Sequence, residues 1–235
     1  MKRITQLAML APLLAGGLLL AGPRLHADEA PRMLPAPKLT QPPAPAGLQS
    51  VVLSGGCFWG VQGVFEHVKG VREALSGYTG GKADTADYET VSTGTTGHAE
   101  SVKVTYDPSQ ITYGQILQIF FSVALDPTQV GGQGPDTGSQ YRSEIWTNSP
   151  EQAKVARAYI AQLDQAHAFS ARIVTRVDPL GGFYPAEHYH QNYLALHPDA
   201  PYIAFNDIPK VEALQKLYPE DWRAQPKLVG GQPPA

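Results

Sequence analysis

The feature that most constrains this fold is a short apolar strand followed by two glycines, a cysteine and a helix-like segment. Residues 49–54 form an apolar run typical of a strand, and residues 59–68 have the spacing of a helix. Gly55 and Gly56 allow a sharp turn and a close approach to the backbone. Cys57, the single cysteine, then falls at a helix N-terminus, where the amide dipoles favour a thiolate. We interpret Cys57 as a reactive sulfur; the alternative is a small core side chain.

Strands and helices alternate along the rest of the chain. The apolar patterns predict strands at 49–54, 71–78, 101–106, 141–146 and 173–177, and helices at 59–68, 112–124, from 149 onward and at 186–196. Ser149 and Pro150 supply an N-cap and a first helical residue for the third helix, and Gln152 completes a capping box. Segments 82–97 and 130–138 have no clear period and are predicted to be loops. This order predicts an α/β or α+β fold in two layers.

The N-terminal residues have the pattern of an export signal. Lys2 and Arg3 precede an apolar run over residues 7–22, and cleavage after Ala27 would remove residues 1–27. An uncleaved inner-membrane anchor is the alternative, although glycines and a proline weaken the run. We therefore expect an exported protein in a bacterial periplasm.

The remaining chain divides into three parts. Residues 28–48 are rich in proline and predict an extended linker with little that could pack. Residues 49–222 are enough for one folded domain, and residues 223–235 are expected to form a loose tail. Loss of residues 1–27 removes three basic residues and no acidic ones, so the net charge changes from −3 to −6. No basic stripe is visible, and nothing indicates a nucleic-acid partner.

Glu100 is the first candidate for acid–base chemistry. It begins the strand whose alternation places Glu100, Val102, Val104 and Tyr106 on one face. A carboxyl on the core-facing side of a strand end is partly desolvated, which raises its pKa and keeps it protonated near neutral pH. A general acid requires this state. The alternative is a glutamate at the strand end that points to solvent.

Polar residues in the predicted loops add further candidates. Tyr88 lies between Asp87 and Glu89, and Asp136 and Tyr141 bracket a turn. A tyrosine can donate a hydrogen bond to an oxygen that gains negative charge. Because the chain has 11 tyrosines, the pattern identifies none of them alone.

Two other motifs suggest a metal site and a phosphate site, but neither has the residue spacing that such a site requires. Residues 187–190 (EHYH) invite a metal interpretation, but they lack the His spacing of a zinc-protease helix, and one cysteine cannot form a thiolate cluster. Lys82 follows Gly80 and Gly81, but the flanking residues do not fit a phosphate-binding loop.

Five ordered motifs resemble those of the type A peptide methionine sulfoxide reductases. They are residues 56–60 (GCFWG), 77–81 (GYTGG), 94–100 (GTTGHAE), 138–143 (GSQYRS) and 183–191 (FYPAEHYHQ). Together they span about residues 51–196. The resemblance implies a single-domain, two-layer α/β sandwich around a mixed β-sheet, with a ferredoxin-like core.

The resemblance also implies an activity and a mechanism. Cys57, as a thiolate, would attack the sulfur of methionine S-sulfoxide, either free or in proteins, while Glu100 protonates the sulfoxide oxygen. The products would be methionine and a sulfenic acid on Cys57. The family needs no metal and no bound organic cofactor.

Five more residues receive site assignments from the same resemblance. Tyr88 and Tyr141 would donate hydrogen bonds to the sulfoxide oxygen, and Asp136 would act through water. Phe58 and Trp59 would form an apolar pocket for the terminal methyl group of the substrate.

Two departures from the family pattern affect the expected cycle. Many members regenerate the thiol with C-terminal cysteines, but residues 193–235 contain none. An external thiol is therefore expected to reduce Cys57: a thioredoxin-like protein, a glutaredoxin or a small thiol, itself kept reduced in an oxidising periplasm. In addition, Leu125 precedes Asp126 where the family often has histidine.

Two competing functions remain at this point. One is a cysteine hydrolase or acyltransferase that pairs Cys57 with His98 or His188 and would react with esters or amides. The other is a non-catalytic module that binds oxidised methionine peptides, leaves the sulfoxide unchanged and tolerates the loss of Glu100.

Overall fold

A mixed six-stranded sheet organises the protein in the computed structural model, which describes residues 29–41 and 47–231. The strands are β1 (Gln49–Gly55), β2 (Val71–Thr79), β3 (Ala99–Tyr106), β4 (Gly132–Gln133), β5 (Asp136–Thr137), β6 (Ser143–Thr147), β7 (Arg176–Pro179) and β8 (Tyr184–Pro185). The sheet order is β7-β6-β1-β3-β2-β8, and β4 and β5 form a separate hairpin. The predicted signal peptide lies outside the described residues.

Six α-helices accompany the sheet within residues 29–41 and 47–231. They are α1 (Phe58–Glu66), α2 (Tyr88–Val91), α3 (Tyr113–Ile119), α4 (Pro150–Gln165), α5 (Tyr193–Leu196) and α6 (Ile208–Leu217). Two π-helical segments, Phe120–Ala124 and Ile203–Asp207, continue α3 and lead into α6. No helix in the described part of the chain is long and apolar enough to span a membrane.

The chain order and the strand order together define a ferredoxin-like core. β1, α1, β2, β3, α3 and β6 follow one another in sequence, and the corresponding strands lie side by side as β6-β1-β3-β2. These pairs are all antiparallel, whereas β7 joins β6 in parallel, so the sheet is mixed. The α/β fold expected from the sequence is therefore confirmed.

The two faces of the sheet carry cores of different size. On β1, Val51 and Leu53 join the large core beneath the helices, and Val52 between them turns to the other face. There it packs with Ala99 and Trp146 in a small cluster. This period-two alternation is what places successive strand residues in different environments.

Local signals explain where the predicted helices begin. The Thr112 hydroxyl oxygen accepts a hydrogen bond from the Gln115 amide, and the Gln115 side-chain oxygen accepts one from the Thr112 amide, which completes a capping box for α3. Ser149 caps α4 as predicted, with Pro150 as the first helical residue. The Gln152 side chain, however, accepts from the Asn148 amide instead of closing the capping box.

The C-terminal third departs most from the sequence expectations. The helix expected at 186–196 is instead a 3₁₀ turn at His188–His190 followed by the short α5. Asn192 between them adopts a left-handed conformation with φ of 58°, which interrupts a continuous helix. Helix α6 was not predicted, although Pro209 near its start is a usual N-terminal signal.

The described part of the proline-rich segment packs on the domain, contrary to the expectation of a spacer. Leu34 is only 3% exposed and belongs to the main core. Tyr159 donates a hydrogen bond to the Pro35 carbonyl at 2.9 Å, and the Arg32 amide donates to the Ser122 carbonyl. An extended proline-rich chain has no regular internal hydrogen bonds, so its carbonyls are free to accept from other groups. Here a side chain of α4 donates to one of them.

Residues 223–231 are also attached, although the sequence predicted a loose tail. The Arg223 guanidinium donates to the Val71 carbonyl, and the Lys227 amide donates to the Glu66 carbonyl at the end of α1. Leu228 is buried. The described tail residues therefore belong to the folded unit.

Candidate active site

All seven sequence-predicted site residues line one cavity of about 190 Å³. They are Cys57, Phe58, Trp59, Tyr88, Glu100, Asp136 and Tyr141, and Tyr202 completes the wall. The cavity lies where β1 turns into α1 and β3 begins, with loops closing it from outside. The motifs are far apart in sequence, and the sheet topology brings them to one place.

The turn before Cys57 requires glycine. Gly56 has φ of +89°, a conformation that L side chains rarely adopt, and a Cβ there would lie 2.6 Å from Cγ of Gln133. A Cβ at Gly60 would lie 2.1 Å from Oδ1 of Asp207. The missing side chains at Gly56 and Gly60 therefore leave space for the protein's own Gln133 and Asp207 side chains, and not only for an external molecule.

The thiol of Cys57 is buried at the N-cap of α1. Burial raises the pKa of Cys57 well above its usual value, and the carboxyls of Glu100 and Asp207 raise it further. The Trp59 amide and the Lys210 ammonium act in the opposite direction. The prediction that the helix N-terminus favours the thiolate is therefore outweighed, because desolvation exceeds the effect of the amides.

Glu100 has the environment expected of a general acid. It is 4% exposed, and its Oε2 accepts a hydrogen bond of 3.0 Å from the Phe58 amide. Burial raises the pKa of Glu100 to about 8, with Asp136 and Asp207 adding to the rise and the Phe58 amide opposing it. The carboxyl is therefore protonated at neutral pH, as the strand alternation predicted.

Tyr88 and Tyr141 approach the cavity from two different loops. Tyr88 opens α2, a single helical turn capped by the Asp87 side chain, within a segment predicted as loop. Tyr141 ends the 3₁₀ turn before β6, and burial together with the nearby carboxyls of Glu100 and Asp136 raises its pKa. Tyr141 therefore keeps its proton and can donate it in a hydrogen bond.

Aromatic contacts fix the Trp59 ring. It stacks on Tyr193 with ring centroids 3.9 Å apart, and Tyr202 packs edge-on against it at 5.9 Å. The Trp59 Nε1–H donates to Nδ1 of His190 at 3.2 Å. Phe58, beside it, packs against both Tyr78 and His190. The apolar wall next to the thiol is therefore held in one orientation.

Residues 187–190 support the site from behind. Glu187 accepts hydrogen bonds from the Tyr88 amide and from the Tyr78 hydroxyl, both at 2.9 Å. His190 accepts from Trp59, and burial lowers its pKa, so the ring is neutral. This motif positions Tyr88 and Trp59. Among the described residues, no group of three or more His, Cys, Asp or Glu side chains could hold a metal ion.

The sequence reasoning missed the C-terminal side of the site. The Tyr202 hydroxyl donates a hydrogen bond to Oδ2 of Asp136, which ties that carboxylate to the cavity wall. Asp207 is fully buried and accepts from Nζ of Lys210 at 3.0 Å. The signal that could have revealed these residues is the Asp-x-Pro helix start at 207–209, followed by apolar residues at helical spacing.

The histidines required for a hydrolase lie elsewhere. Both ring nitrogens of His98 contact backbone atoms, the Gly81 amide at 3.2 Å and the Lys82 carbonyl at 2.9 Å. His188 is exposed, and neither histidine lines the cavity that holds Cys57. The group beside the thiol is a carboxyl, so the arrangement does not match a cysteine–histidine pair.

The family model for peptide methionine sulfoxide reductase matches residues 49–222. The chain belongs to this family. The protein therefore reduces methionine sulfoxide, which makes it an oxidoreductase. The resemblance found in the five sequence motifs is confirmed.

Relatives of known name agree with that result. "Peptide methionine sulfoxide reductase MsrA 2" of Mesorhizobium japonicum is 56% identical over 186 residues, covering 79% of this chain and 95% of that protein. The protein of the same name from Synechocystis sp. is 48% identical over 179 residues, covering 76% of this chain and 84% of that protein.

Solved structures of the family share the fold. Mxr1 from Saccharomyces cerevisiae in its reduced form is 31% identical with a TM-score of 0.59, covering 68% of this reductase and 92% of that chain. Methionine sulfoxide reductase A of Corynebacterium diphtheriae is 32% identical with a TM-score of 0.57, covering 73% of this reductase and 95% of that chain.

Proposed function

We propose that Cys57 reduces methionine S-sulfoxide, free or in proteins, and becomes a sulfenic acid that an external thiol recycles. The observation that carries this proposal is the cavity in which one buried thiol meets a protonated carboxyl and two tyrosines. A nucleophile, an acid and neutral hydrogen-bond donors are the groups that transfer of a sulfoxide oxygen requires.

Phe58 and Trp59 define the orientation of the substrate. The methyl group and side chain of the oxidised methionine pack against these rings, which stacking and hydrogen bonds hold in place. The sulfoxide oxygen then faces Glu100, Tyr88 and Tyr141. A substrate held in this way presents its sulfur to the thiol of Cys57.

The Cys57–Glu100 pair releases one proton to solvent before the chemical step. In the free protein both groups are protonated at neutral pH, because burial raises the pKa of each. Hydrogen bonding to the sulfoxide oxygen favours the protonated form of Glu100, so the negative charge falls on sulfur. The pair then supplies a thiolate and an acid together.

The oxygen transfer balances as a two-electron exchange. A bond forms between the Cys57 sulfur and the substrate sulfur while Glu100 protonates the oxygen. The hydroxyl then transfers to Cys57 and the S–S bond breaks, which leaves methionine and a Cys57 sulfenic acid. Methionine sulfur is reduced and Cys57 sulfur is oxidised.

Regeneration requires a thiol from another molecule, since the chain has one cysteine. The incoming thiolate attacks the sulfenic acid, water leaves, and a second thiol releases Cys57 from the mixed disulfide. Thioredoxin-like proteins, glutaredoxins and small thiols all supply this chemistry. We further propose, from residues 1–27, that the reductase is exported and repairs oxidised periplasmic proteins.

A single-turnover experiment on the full chain tests the mechanism. With methionine S-sulfoxide and no reductant, we expect one methionine per protein, loss of the free thiol, and a dimedone adduct at Cys57. Methionine formed with the thiol intact would contradict attack by Cys57, and bound but unchanged sulfoxide would favour the binding module.

Cys57→Ser provides the matched control. This substitution replaces sulfur with oxygen at similar size, so we expect the folded protein to retain its far-ultraviolet circular dichroism and to form no methionine. Turnover by the serine variant would assign the nucleophile to another group.

A further inference from the structure

A second cavity is also lined by Cys57. It measures about 200 Å³ and shares Cys57, Asp136 and Tyr202 with the cavity that contains Glu100. The two cavities have nearly the same volume and share three wall residues, one of which is Cys57. A substrate held beside Cys57 in the first cavity therefore lies next to the second.

Several separate parts of the chain build the walls of this second cavity. Ala30 and Pro31 come from the N-terminal segment, residues 121–123 and Leu125 from the end of the α3 region, and Phe205 and Pro209 from the start of α6. The apolar wall also includes Phe169 and Pro135. Phe205 is 82% exposed, which is unusual for an aromatic side chain.

The charged groups around the second cavity already have partners within the protein. Glu29 accepts from the Ser170 amide at 2.6 Å, and Asp126 accepts from the Glu29 amide at 3.0 Å. Asp136 pairs with the Tyr202 hydroxyl, and Lys210 with Asp207. These internal pairs leave the apolar groups as the surface available to a ligand.

We propose that the second cavity is a subsite for the side chain of a residue adjacent to the oxidised methionine in a polypeptide. The subsite prefers an apolar neighbour such as leucine. This inference rests on the proposed function, because it places the sulfoxide itself in the cavity with Glu100. The occupant is a polypeptide because the two cavities share a wall at Cys57, so the residue next to the oxidised methionine is the part of the substrate that lies nearest the second cavity.

The N-terminal segment adds wall residues from outside the part of the chain that the family model matches. Residues 29–31 form part of the wall but precede residues 49–222, the part that the family model matches. Leu34 in the core and Arg32 on the Ser122 carbonyl hold the segment in place. Changes in this segment therefore alter the subsite without altering the residues around Glu100.

Short peptides in single turnover test the subsite without involving the thiol donor. The substrates are N-acetyl-methionine S-sulfoxide methylamide and peptides that carry leucine or glycine on either side of the oxidised methionine. On the full chain, we expect the leucine peptide in one of the two orientations to react with a second-order rate constant roughly tenfold above its glycine counterpart.

Variants of the wall locate that preference. Phe205→Ser removes an exposed ring, and Ala30→Asp places a charge on the part of the wall that the N-terminal segment supplies; each is expected to reduce the leucine-to-glycine ratio about threefold or more. Leu48→Ser is the matched control, because Leu48 is 56% exposed and does not line the cavity. We expect it to keep the ratio of the unmodified chain.

The outcomes separate the subsite from the proposed function. Equal rate constants for leucine and glycine peptides, with the methylamide still reduced, would overturn the subsite and leave Cys57 chemistry intact. A ratio that Phe205→Ser and Ala30→Asp both leave unchanged would also overturn it. If these variants alter only the rate of recycling by dithiothreitol or thioredoxin, the cavity receives the thiol donor instead.

Discussion

A buried carboxyl lies at each end of helix α1, and only one of these two carboxyls belongs to a reaction site. At the N-terminal end, Glu100 accepts the Phe58 amide and faces Cys57 across a cavity. At the C-terminal end, Glu66 is 1% exposed, and neither of its carboxylate oxygens has a hydrogen-bond partner among the described residues. Burial raises the pKa of both carboxyls to about 8.

This comparison shows that a raised pKa does not by itself identify an acid catalyst. Glu66 lies at the negative end of the helix dipole, without a donor and without a lining position in any cavity that holds Cys57. Glu100 has the same protonation state but adds a substrate-sized space and a nucleophile. Proximity to the thiol, rather than burial, is what separates them.

The largest expected difference is kinetic. Glu100→Gln keeps the size of the side chain but removes its transferable proton, so we expect the first turnover to slow by roughly 10²–10⁴-fold. Glu66→Gln is the matched control and should stay within about twofold of the unmodified chain. Rapid-quench measurement of methionine formed decides the comparison. Equal rates for both variants would remove Glu100 from the chemistry.

The pH dependence of the same step sharpens the contrast. The reactive pair must lose one proton, so the second-order rate constant should rise about tenfold per pH unit and level off near pH 8. In Glu100→Gln the thiol titrates alone, and because burial raises its pKa the rate should continue to rise above pH 8. Glu66→Gln should show the plateau of the unmodified chain; a plateau in Glu100→Gln as well would contradict the assignment.

Protein stability should respond to the two carboxyls alike. An unfolded glutamate loses its proton near pH 4.3, whereas folded Glu66 keeps it up to about pH 8. Between these values the unfolded state binds fewer protons, so the free energy of unfolding falls by up to about 1.4 kcal/mol per pH unit for each such group. Urea denaturation at several pH values should show a smaller slope of unfolding free energy against pH in Glu66→Gln and in Glu100→Gln. The reduction in each variant should correspond to the uptake of one proton. An unchanged slope in Glu66→Gln would mean that its carboxyl is solvated.

The smallest expected effect concerns the thiol alone. Asp207 raises the pKa of Cys57, so Asp207→Asn should lower it and leave Lys210 as an unopposed cation. We expect alkylation of Cys57 by iodoacetamide at pH 7 to accelerate about three- to tenfold. Asp84→Asn, an exposed acid in a turn away from the cavity, should leave the rate unchanged. A slower reaction in Asp207→Asn would show that its carboxylate positions the thiol instead.

The sequence was sufficient for the central part of this molecule because its signals are local. Alternation on β3 placed Glu100 on the buried face, and Gly56 marked the turn at Cys57. The Trp59 amide at the helix N-terminus lowers the pKa of Cys57 in the expected direction, but burial and the carboxyl of Glu100 outweigh it, and these depend on residues distant in sequence. Tyr202 could not be placed beside Asp136, because that contact forms only when the C-terminal segment folds back. Asp207 pairs locally with Lys210, but its position next to Gly60 and Cys57 depends on the same long-range packing.

The extended N-terminal segment determines where a fusion partner can be attached. The Glu29 amide is bonded to Asp126 at the wall of the second cavity, so a group joined directly to Glu29 starts beside that cavity. The C-terminal segment is bonded through Lys227 to the Glu66 end of α1, the end away from Cys57. A reporter or solid support joined directly to Glu29 therefore competes for space with a bulky oxidised protein more than one joined after Gly231.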